Sequence, residues 1–130
     1  MAAENTVTKK RALVVDDDAT IVEYVSAVLS RAGYEVQTAG NGMTALEMYR
    51  ASNYDAVVCD IRMPKLSGTS FLRNLRLNAE STCRVVLLSS IDDSTTRRES
   101  LEAGAVAVLV KPSSSKLILE AVTGVVATQP

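Results

Sequence analysis

The residues with the clearest capacity for chemistry are aspartates that directly follow apolar stretches. Asp16, Asp17 and Asp18 follow the apolar residues 12–15, and Asp60 follows the apolar residues 56–59. Apolar runs of this length are typical of buried parallel strands, whose carboxyl ends form the ligand-binding edge of an open α/β sheet. Carboxylates gathered at one edge repel each other by roughly 3 kcal/mol per pair at about 5 Å and an effective dielectric constant of about 20. A hard divalent cation would offset this repulsion, so the pattern predicts a metal site.

Two further strand-like runs also end in polar groups. Ser89 and Ser90 end the fourth run, and Lys111 and Pro112 follow the fifth. Carboxylates, a hydroxyl and an ammonium at one rim suit phosphoryl transfer, which depends mainly on positioning and charge stabilisation. A carboxylate can itself be the nucleophile and become an aspartyl phosphate. The chain has no histidine, which excludes a Ser-His-Asp triad and histidine-ligated zinc and places any phosphohistidine on a partner.

Composition indicates one domain with an aliphatic core. The chain has 130 residues, of which 47% are hydrophobic and only 4% aromatic, and its formal net charge is -1. This charge provides no basic field for nucleic acid. We expect a cytoplasmic protein that binds neither nucleic acid nor membrane, because the first ten residues are polar and no apolar run approaches the roughly 20 residues of a membrane span. Cys59 and Cys83 are expected in the core, with redox sensing as the alternative.

Five apolar runs alternate with segments of helical periodicity. Strands are predicted at residues 12–16, 34–39, 55–60, 84–89 and 105–110. Apolar helix faces are predicted at Ile21, Val25, Val28 and Leu29; at Ala45, Leu46 and Tyr49; at Phe71, Leu72 and Leu75; and at Ile118, Ala121, Val122 and Val125. This strict alternation predicts an α/β fold, a parallel sheet covered by helices on both faces. We expect a polar extension over residues 1–10, the domain over 11–127 and a tail over 128–130.

Helix ends and the fourth helical segment carry further expectations. Asp18 is expected to cap the first helix and the serines 113–115 to cap the last. The fourth segment, residues 92–103, is poorly apolar, with Leu101 as its clearest anchor. Within it, the pair Arg97 and Arg98 is expected on a solvated face, with a partner contact as the alternative.

Four motifs together resemble the receiver domain of two-component response regulators, of the chemotaxis-regulator type. They are Leu13-Val14-Val15-Asp16-Asp17-Asp18; Asp60-Ile61-Arg62-Met63-Pro64 followed by Gly68; Val86-Leu87-Leu88-Ser89-Ser90; and Gly104-Ala105 leading to Val110-Lys111-Pro112. The resemblance covers roughly Lys10 to Val126. It implies a doubly wound, flavodoxin-like (βα)5 fold with a five-stranded parallel sheet in the order 2-1-3-4-5.

The resemblance also implies a role for each site residue. Asp60 would accept a phosphoryl group from a partner histidine kinase or histidine phosphotransfer protein. Asp16, Asp17, Asp60 and the main-chain carbonyl of Arg62 would bind Mg²⁺ or Mn²⁺. Ser89 and Lys111 would contact the phosphoryl group, and Pro112 would follow a cis peptide bond. Apart from the resemblance, we expect Gly68 to supply a loop conformation that only glycine favours. Such a protein is no enzyme beyond its own phosphorylation and dephosphorylation, and we expect a stand-alone domain whose surface an unidentified downstream protein reads.

Some positions depart from the family pattern. Val108 occupies the position where the family has an aromatic switch residue, so the usual coupling is expected to be absent or altered. Arg62 and Ile91 occupy the two positions that tune self-dephosphorylation in the family. Because the side chain of Ile91 cannot orient water by hydrogen bonding, we expect a long-lived phosphoryl state.

A second resemblance leads to a different function. The residues Asp16-Asp17-Asp18-Ala19-Thr20 also match the Asp-x-Asp-x-Thr pattern of haloacid-dehalogenase-like phosphatases, with Asp16 as nucleophile and Asp18 as general acid. The chain is short for that class, only one acid, Glu120, follows Lys111, and Asp60 would have no role. A receiver that is part of a longer regulator and an interaction module that is not phosphorylated are further alternatives.

Overall fold

The computed structural model describes residues 9–63, 65–75 and 82–125. Within them, five strands alternate with five helices. In chain order they are β1 (Arg11–Val15), α1 (Ala19–Arg31), β2 (Glu35–Ala39), α2 (Gly42–Ala51), β3 (Ala56–Asp60), α3 (Gly68–Leu75), β4 (Arg84–Ser89), α4 (Ser94–Glu102), β5 (Ala107–Val110) and α5 (Ser115–Thr123). Pro64 of the second motif, residues 1–8 of the predicted extension and the predicted tail at 128–130 lie outside the described residues.

The strands form one parallel sheet in the order β2-β1-β3-β4-β5, which confirms the predicted fold. The chain reverses its direction of winding between β1 and β3, and ligands bind at such a switch point in doubly wound sheets. Val15 at the end of β1 pairs with Cys59, the residue before Asp60. The first aspartate after β1 is therefore brought beside the last residue of β3.

The sheet is buried on both faces, because alternate residues of each strand point to opposite sides. One apolar cluster joins Leu13, Val57 and Leu87 to Phe71 and Leu72 of α3. The other cluster joins the intervening strand residues to α1 and α5; its members include Val14, Val58, Val86, Leu29 and Ile118. Cys59 and Cys83 are both buried in the first cluster, as expected for core residues.

Both predicted N-caps are confirmed. Asp18 accepts a hydrogen bond from the N–H of Thr20 at 2.9 Å, and Ser114 accepts one from the N–H of Leu117 at 3.2 Å. Each satisfies a helix N–H that has no partner within its own helix. No helix within the described ranges has both the length and the apolar composition that a membrane span needs.

Two predictions about helix faces were wrong. Leu101 is 44% exposed, whereas its neighbour Ser100 is fully buried, so Leu101 does not anchor α4. Val125 is 70% exposed and lies beyond α5, which ends at Thr123. For Leu101, the face that α4 buries depends on how the helix sits on the sheet. For Val125, the helix has already ended at its C-cap Gly124, whose φ is 77°.

The prediction that Gly68 adopts a conformation that only glycine favours was also wrong. Gly68 is the first residue of α3, and the positive φ in this loop belongs to Lys65, at 75°. Gly68 is required for a different reason: a Cβ at this position would lie 2.5 Å from the main-chain oxygen of Asp60. The N–H of Gly68 also donates to the carbonyl of Ile61 at 2.8 Å. The loop therefore folds back tightly against the end of β3.

We expect Gly68→Ala to lower the free energy of unfolding by about 1–3 kcal/mol, because the added methyl group overlaps the backbone of Asp60. Gly40→Ala is the matched control: a Cβ there meets nothing within 4 Å. We expect it to change stability by no more than about 0.5 kcal/mol. Urea denaturation measures both, and equal effects would contradict the packing account.

Candidate functional site

An acidic cluster lies at the carboxyl ends of β1 and β3. One carboxylate oxygen from each of Asp16, Asp17 and Asp60 lies within 4.8 Å of the other two. Asp16 and Asp60 are only 2% and 6% exposed, whereas Asp17 is exposed. The cluster thus has two buried carboxylates and one that faces solvent, which leaves the site accessible from one side.

Lys111, the residue after β5, reaches across the sheet edge to this cluster. Its Nζ lies 2.9 Å from Oδ2 of Asp16 and 3.4 Å from Oδ1 of Asp60. The main-chain N–H of Lys111 donates to the carbonyl of Ser89 at 2.7 Å. This bond holds Lys111 against the end of β4. The bond between Lys111 and Pro112 is cis, as predicted. One ammonium group therefore bridges the two buried carboxylates.

The protonation of Asp60 reflects a balance of opposing contacts. Burial raises the pKa of Asp60 and the charge of Asp16 raises it further, while Lys111 and a 3.3 Å hydrogen bond from the N–H of Arg62 oppose the shift. Burial alone would lower the pKa of Lys111, but the hydrogen bond to Asp16 and the two carboxylate charges outweigh it and leave this pKa raised. The lysine stays charged, while the carboxylate of Asp60 is ionised at a cost.

The donor set fits a hard divalent cation. Three carboxylate oxygens converge, and oxygen ligands are those that Mg²⁺ and similar ions prefer. Oδ1 of Asp16 accepts the N–H of Asp18 at 2.9 Å, which fixes the orientation of this carboxylate. The N–H of Arg62 contacts Asp60, so the main chain of Arg62 lies beside the cluster. That its carbonyl is a metal ligand stays a prediction.

Ser89 ends β4 and is 7% exposed, but its hydroxyl is engaged within its own loop. Oγ donates to the carbonyl of Ile91 at 2.7 Å and accepts from the N–H of Ile91 at 3.1 Å. The sequence places Ser89 at the correct edge but does not predict this arrangement. The side chain of Ile91 is 46% exposed.

The side chain of Arg97 is 41% exposed, as expected for a solvated face, but it also makes a contact that the sequence does not indicate. Its Nη1 donates to the carbonyl of Val108 at 2.9 Å, and its Nη2 lies 3.5 Å from Oδ1 of Asp92. Val108, at the altered switch position, is 5% exposed. No sequence pattern indicates this contact, because it joins α4 to a main-chain atom of β5.

The chain is similar to proteins of one family. The model of the family described as response regulator receiver domain matches residues 12–123. The probable transcriptional regulator ycf27 of Cyanophora paradoxa is 39% identical over 110 residues, which are 85% of this chain and 45% of that protein. The chain thus spans less than half the length of this relative.

Solved structures give the same result. The chemotaxis response regulator CheY4 of Vibrio cholerae has a TM-score of 0.82 and 30% identity, covering 90% of this chain and 98% of that one. A response regulator of Burkholderia pseudomallei, solved with a phosphorylated aspartic acid, a calcium ion and citrate, has a TM-score of 0.80 and 27% identity, covering 87% and 66% of the two chains.

In the absence of divalent cations, we expect Asp60→Asn to stabilise the protein by about 1 kcal/mol near neutral pH. This is the magnitude expected for the repulsion between Asp60 and Asp16 when Lys111 offsets part of it. Because folding raises the pKa of Asp60, the folded state binds this proton more tightly than the unfolded state does. Stability is therefore lost as the pH rises from the ordinary carboxyl range through the raised pKa. The difference between variant and wild type should grow over the same range.

Denaturation with a chelator present, repeated across this pH range, measures the difference. Glu47→Gln on the exposed side of α2 is the matched control for the loss of one negative charge. Addition of Mg²⁺ should stabilise wild type more than Asp60→Asn, because a ligand that binds the folded state shifts the equilibrium toward it. A destabilised Asp60→Asn would contradict the electrostatic account.

Proposed function

The chain belongs to the response regulator receiver domain family, and on that premise we propose that Asp60 accepts a phosphoryl group from a partner histidine kinase or histidine phosphotransfer protein. The observation that carries the proposal is the position of Asp60. Its buried carboxylate lies at the switch point of the sheet, among acidic neighbours and 3.4 Å from the ammonium of Lys111. The partner must supply the histidine, because the chain has none.

The transfer exchanges one bond to phosphorus for another. A carboxylate oxygen of Asp60 attacks the phosphorus, the bond from phosphorus to the imidazole nitrogen breaks, and that nitrogen leaves with the electron pair and takes up a proton. The attack requires an ionised Asp60, and Lys111 favours that form by opposing the effect of burial on its pKa. Lys111 is also positioned to pair with the negative charge that arrives.

The carboxylates of Asp16, Asp17 and Asp60, with the carbonyl of Arg62, would hold Mg²⁺ or Mn²⁺. When bound, the cation would offset the combined charge of the cluster and the phosphoryl group. The converging oxygens support this assignment. The calcium ion in the Burkholderia pseudomallei structure belongs to that protein and is consistent with the same kind of site.

Ser89 would donate a hydrogen bond to a phosphoryl oxygen. A hydroxyl has one proton, which Ser89 gives to the carbonyl of Ile91, so Ser89 must turn away from Ile91 to reach the phosphoryl group. Ile91 itself offers no side-chain donor or acceptor to an attacking water, which favours a slow loss of the phosphoryl group. A changed surface near this loop would then be read by a downstream protein.

In this proposal the domain is a switch and not an enzyme, since it acts only on its own phosphorylation state. It works in the cytoplasm, and its net charge of -1 provides no basic field that would attract nucleic acid or anionic membranes. The name of the Cyanophora paradoxa relative, a probable transcriptional regulator, describes a protein of which this chain covers less than half.

The phosphatase alternative is less well supported by the geometry. Asp18, its general acid, caps α1 and accepts the N–H of Thr20 at 2.9 Å. Asp16, its nucleophile, is 2% exposed and bonded to Lys111 and to the N–H of Asp18. Both carboxylates thus have structural partners, whereas Asp60 has no role in that scheme.

We expect wild-type protein incubated with acetyl phosphate and Mg²⁺ to gain one phosphoryl group, and Asp60→Asn to gain none, as measured by intact mass. Glu47→Gln, the charge-matched control, should be labelled like wild type. Label that persists in Asp60→Asn but is lost in Asp16→Asn would support the phosphatase, and an absence of label throughout would indicate a plain interaction module. Once the donor is removed, loss of label within seconds would contradict the long-lived state expected from Ile91.

A further inference from the structure

A single side chain joins the loop after Ser89 to the last strand of the sheet. Arg97, one turn into α4, donates from Nη1 to the carbonyl of Val108 on β5 at 2.9 Å. Its Nη2 lies 3.5 Å from Oδ1 of Asp92 in the loop between β4 and α4. The pair with Asp92 is exposed and therefore weak, so the bond to Val108 is the principal contact.

This contact is important because few other interactions place α4 on the sheet. β5 is an edge strand that pairs only with β4, and an edge strand leaves part of its main-chain hydrogen-bonding groups without a strand partner. Among the residues of α4, only Ser100 is buried. The helix therefore has little apolar area with which to hold its position, and Arg97 supplies a directed contact instead.

The same contact is close, along the chain, to both groups that would touch a phosphoryl group. The loop of residues 90–93 separates Ser89 from the first residue of α4, and Asp93 caps that helix by accepting the N–H of Thr95 at 3.1 Å. At the other end, Val108 lies three residues before Lys111 on the segment that carries the lysine. A shift of this loop would therefore move the start of α4, and the bond from Arg97 to β5 would resist that movement.

Ser89 must give up its contacts with Ile91 before it can serve the phosphoryl group. Its hydroxyl donates to the carbonyl of Ile91, and the N–H of Ile91 donates to Oγ of Ser89. Release of both bonds frees the loop that leads into α4. An interaction that stabilises only the resting form of the loop makes the phosphorylated form relatively less favourable. Such an interaction opposes phosphorylation, because the phosphoryl group must supply the free energy that breaks it.

We propose that Arg97 is a positioning residue that holds the loop after Ser89 and helix α4 in the unphosphorylated arrangement through its bond to Val108, and so couples the state of Asp60 to the position of α4. The inference rests on the proposed function and concerns the regulation of the same site. Arg97 acts through Ser89 and does not touch the reacting atoms. By linkage, removal of its contact must raise the affinity of the site for a phosphoryl group.

The test is the affinity of the full chain for beryllofluoride, a mimic of the phosphoryl group, in the presence of Mg²⁺. Amide signals in NMR titrations report both the affinity and the response of α4 and β5. Arg97→Met is expected to bind about 5-fold more tightly, the lower end of typical coupling between sites. Arg98→Met, which removes the exposed neighbouring charge, should bind like wild type.

A second variant keeps the inference testable if Arg97→Met does not fold. Arg97→Lys retains the positive charge but lacks the planar fork that reaches Val108 and Asp92 together, so an intermediate gain in affinity is expected. The shifts of α4 and β5 amides on binding should also be smaller in both Arg97 variants than in wild type. A purely structural role would lower stability without raising affinity.

The outcomes separate the two proposals. If wild type fails to bind beryllofluoride, or if Asp60→Asn binds it equally well, the proposed function is overturned and this inference with it. If wild type binds and Asp60→Asn does not, but the Arg97 variants bind with unchanged or lower affinity, the inference alone is overturned.

Discussion

The strand order forces negative charges together, and the site depends on how they are balanced. β1 and β3 are neighbours in the sheet and each leads into an aspartate, so Asp16 and Asp60 lie side by side with little exposure to water. Lys111 reaches both from the end of β5 and is the cation that makes this arrangement tolerable. The close approach of Gly68 to Asp60 and the bond from Lys111 to Ser89 keep these groups at their distances.

Lys111 only partly offsets the negative charge of the buried carboxylates, and the remaining negative charge suits a cation-binding site. A buried ion pair contributes little net stability, because desolvation offsets much of the attraction. Burial still raises the pKa of Asp60 despite Lys111. The cluster therefore gains from any further cation, while the two apolar clusters on either side of the sheet hold the backbone in place. The packing that holds the fold and the charged cluster at the sheet edge are thus different parts of the molecule.

Local sequence patterns predict the elements and the identity of the acidic site, but not the contacts that cross the fold. The apolar runs place strands within about two residues, and they place Asp60 at a strand end because that information is contiguous in the chain. The packing of Gly68 depends on the position of a carbonyl eight residues earlier, and the bond from Arg97 to Val108 joins two separate elements. The face of α4 was mispredicted at Leu101 because a poorly apolar helix has no periodicity that fixes its orientation.

The central claim, that Lys111 offsets the buried carboxylates, is tested most directly by a double-mutant cycle on the unfolding free energy without divalent cations. The variants are Lys111→Met, Asp16→Asn and the double substitution, since Asp16 is the closer of the two carboxylates that Lys111 contacts, at 2.9 Å. We predict a favourable coupling energy of about 1–3 kcal/mol, because Lys111→Met alone leaves buried charges without their partner. Effects of the two substitutions that add to within about 0.5 kcal/mol would contradict the claim.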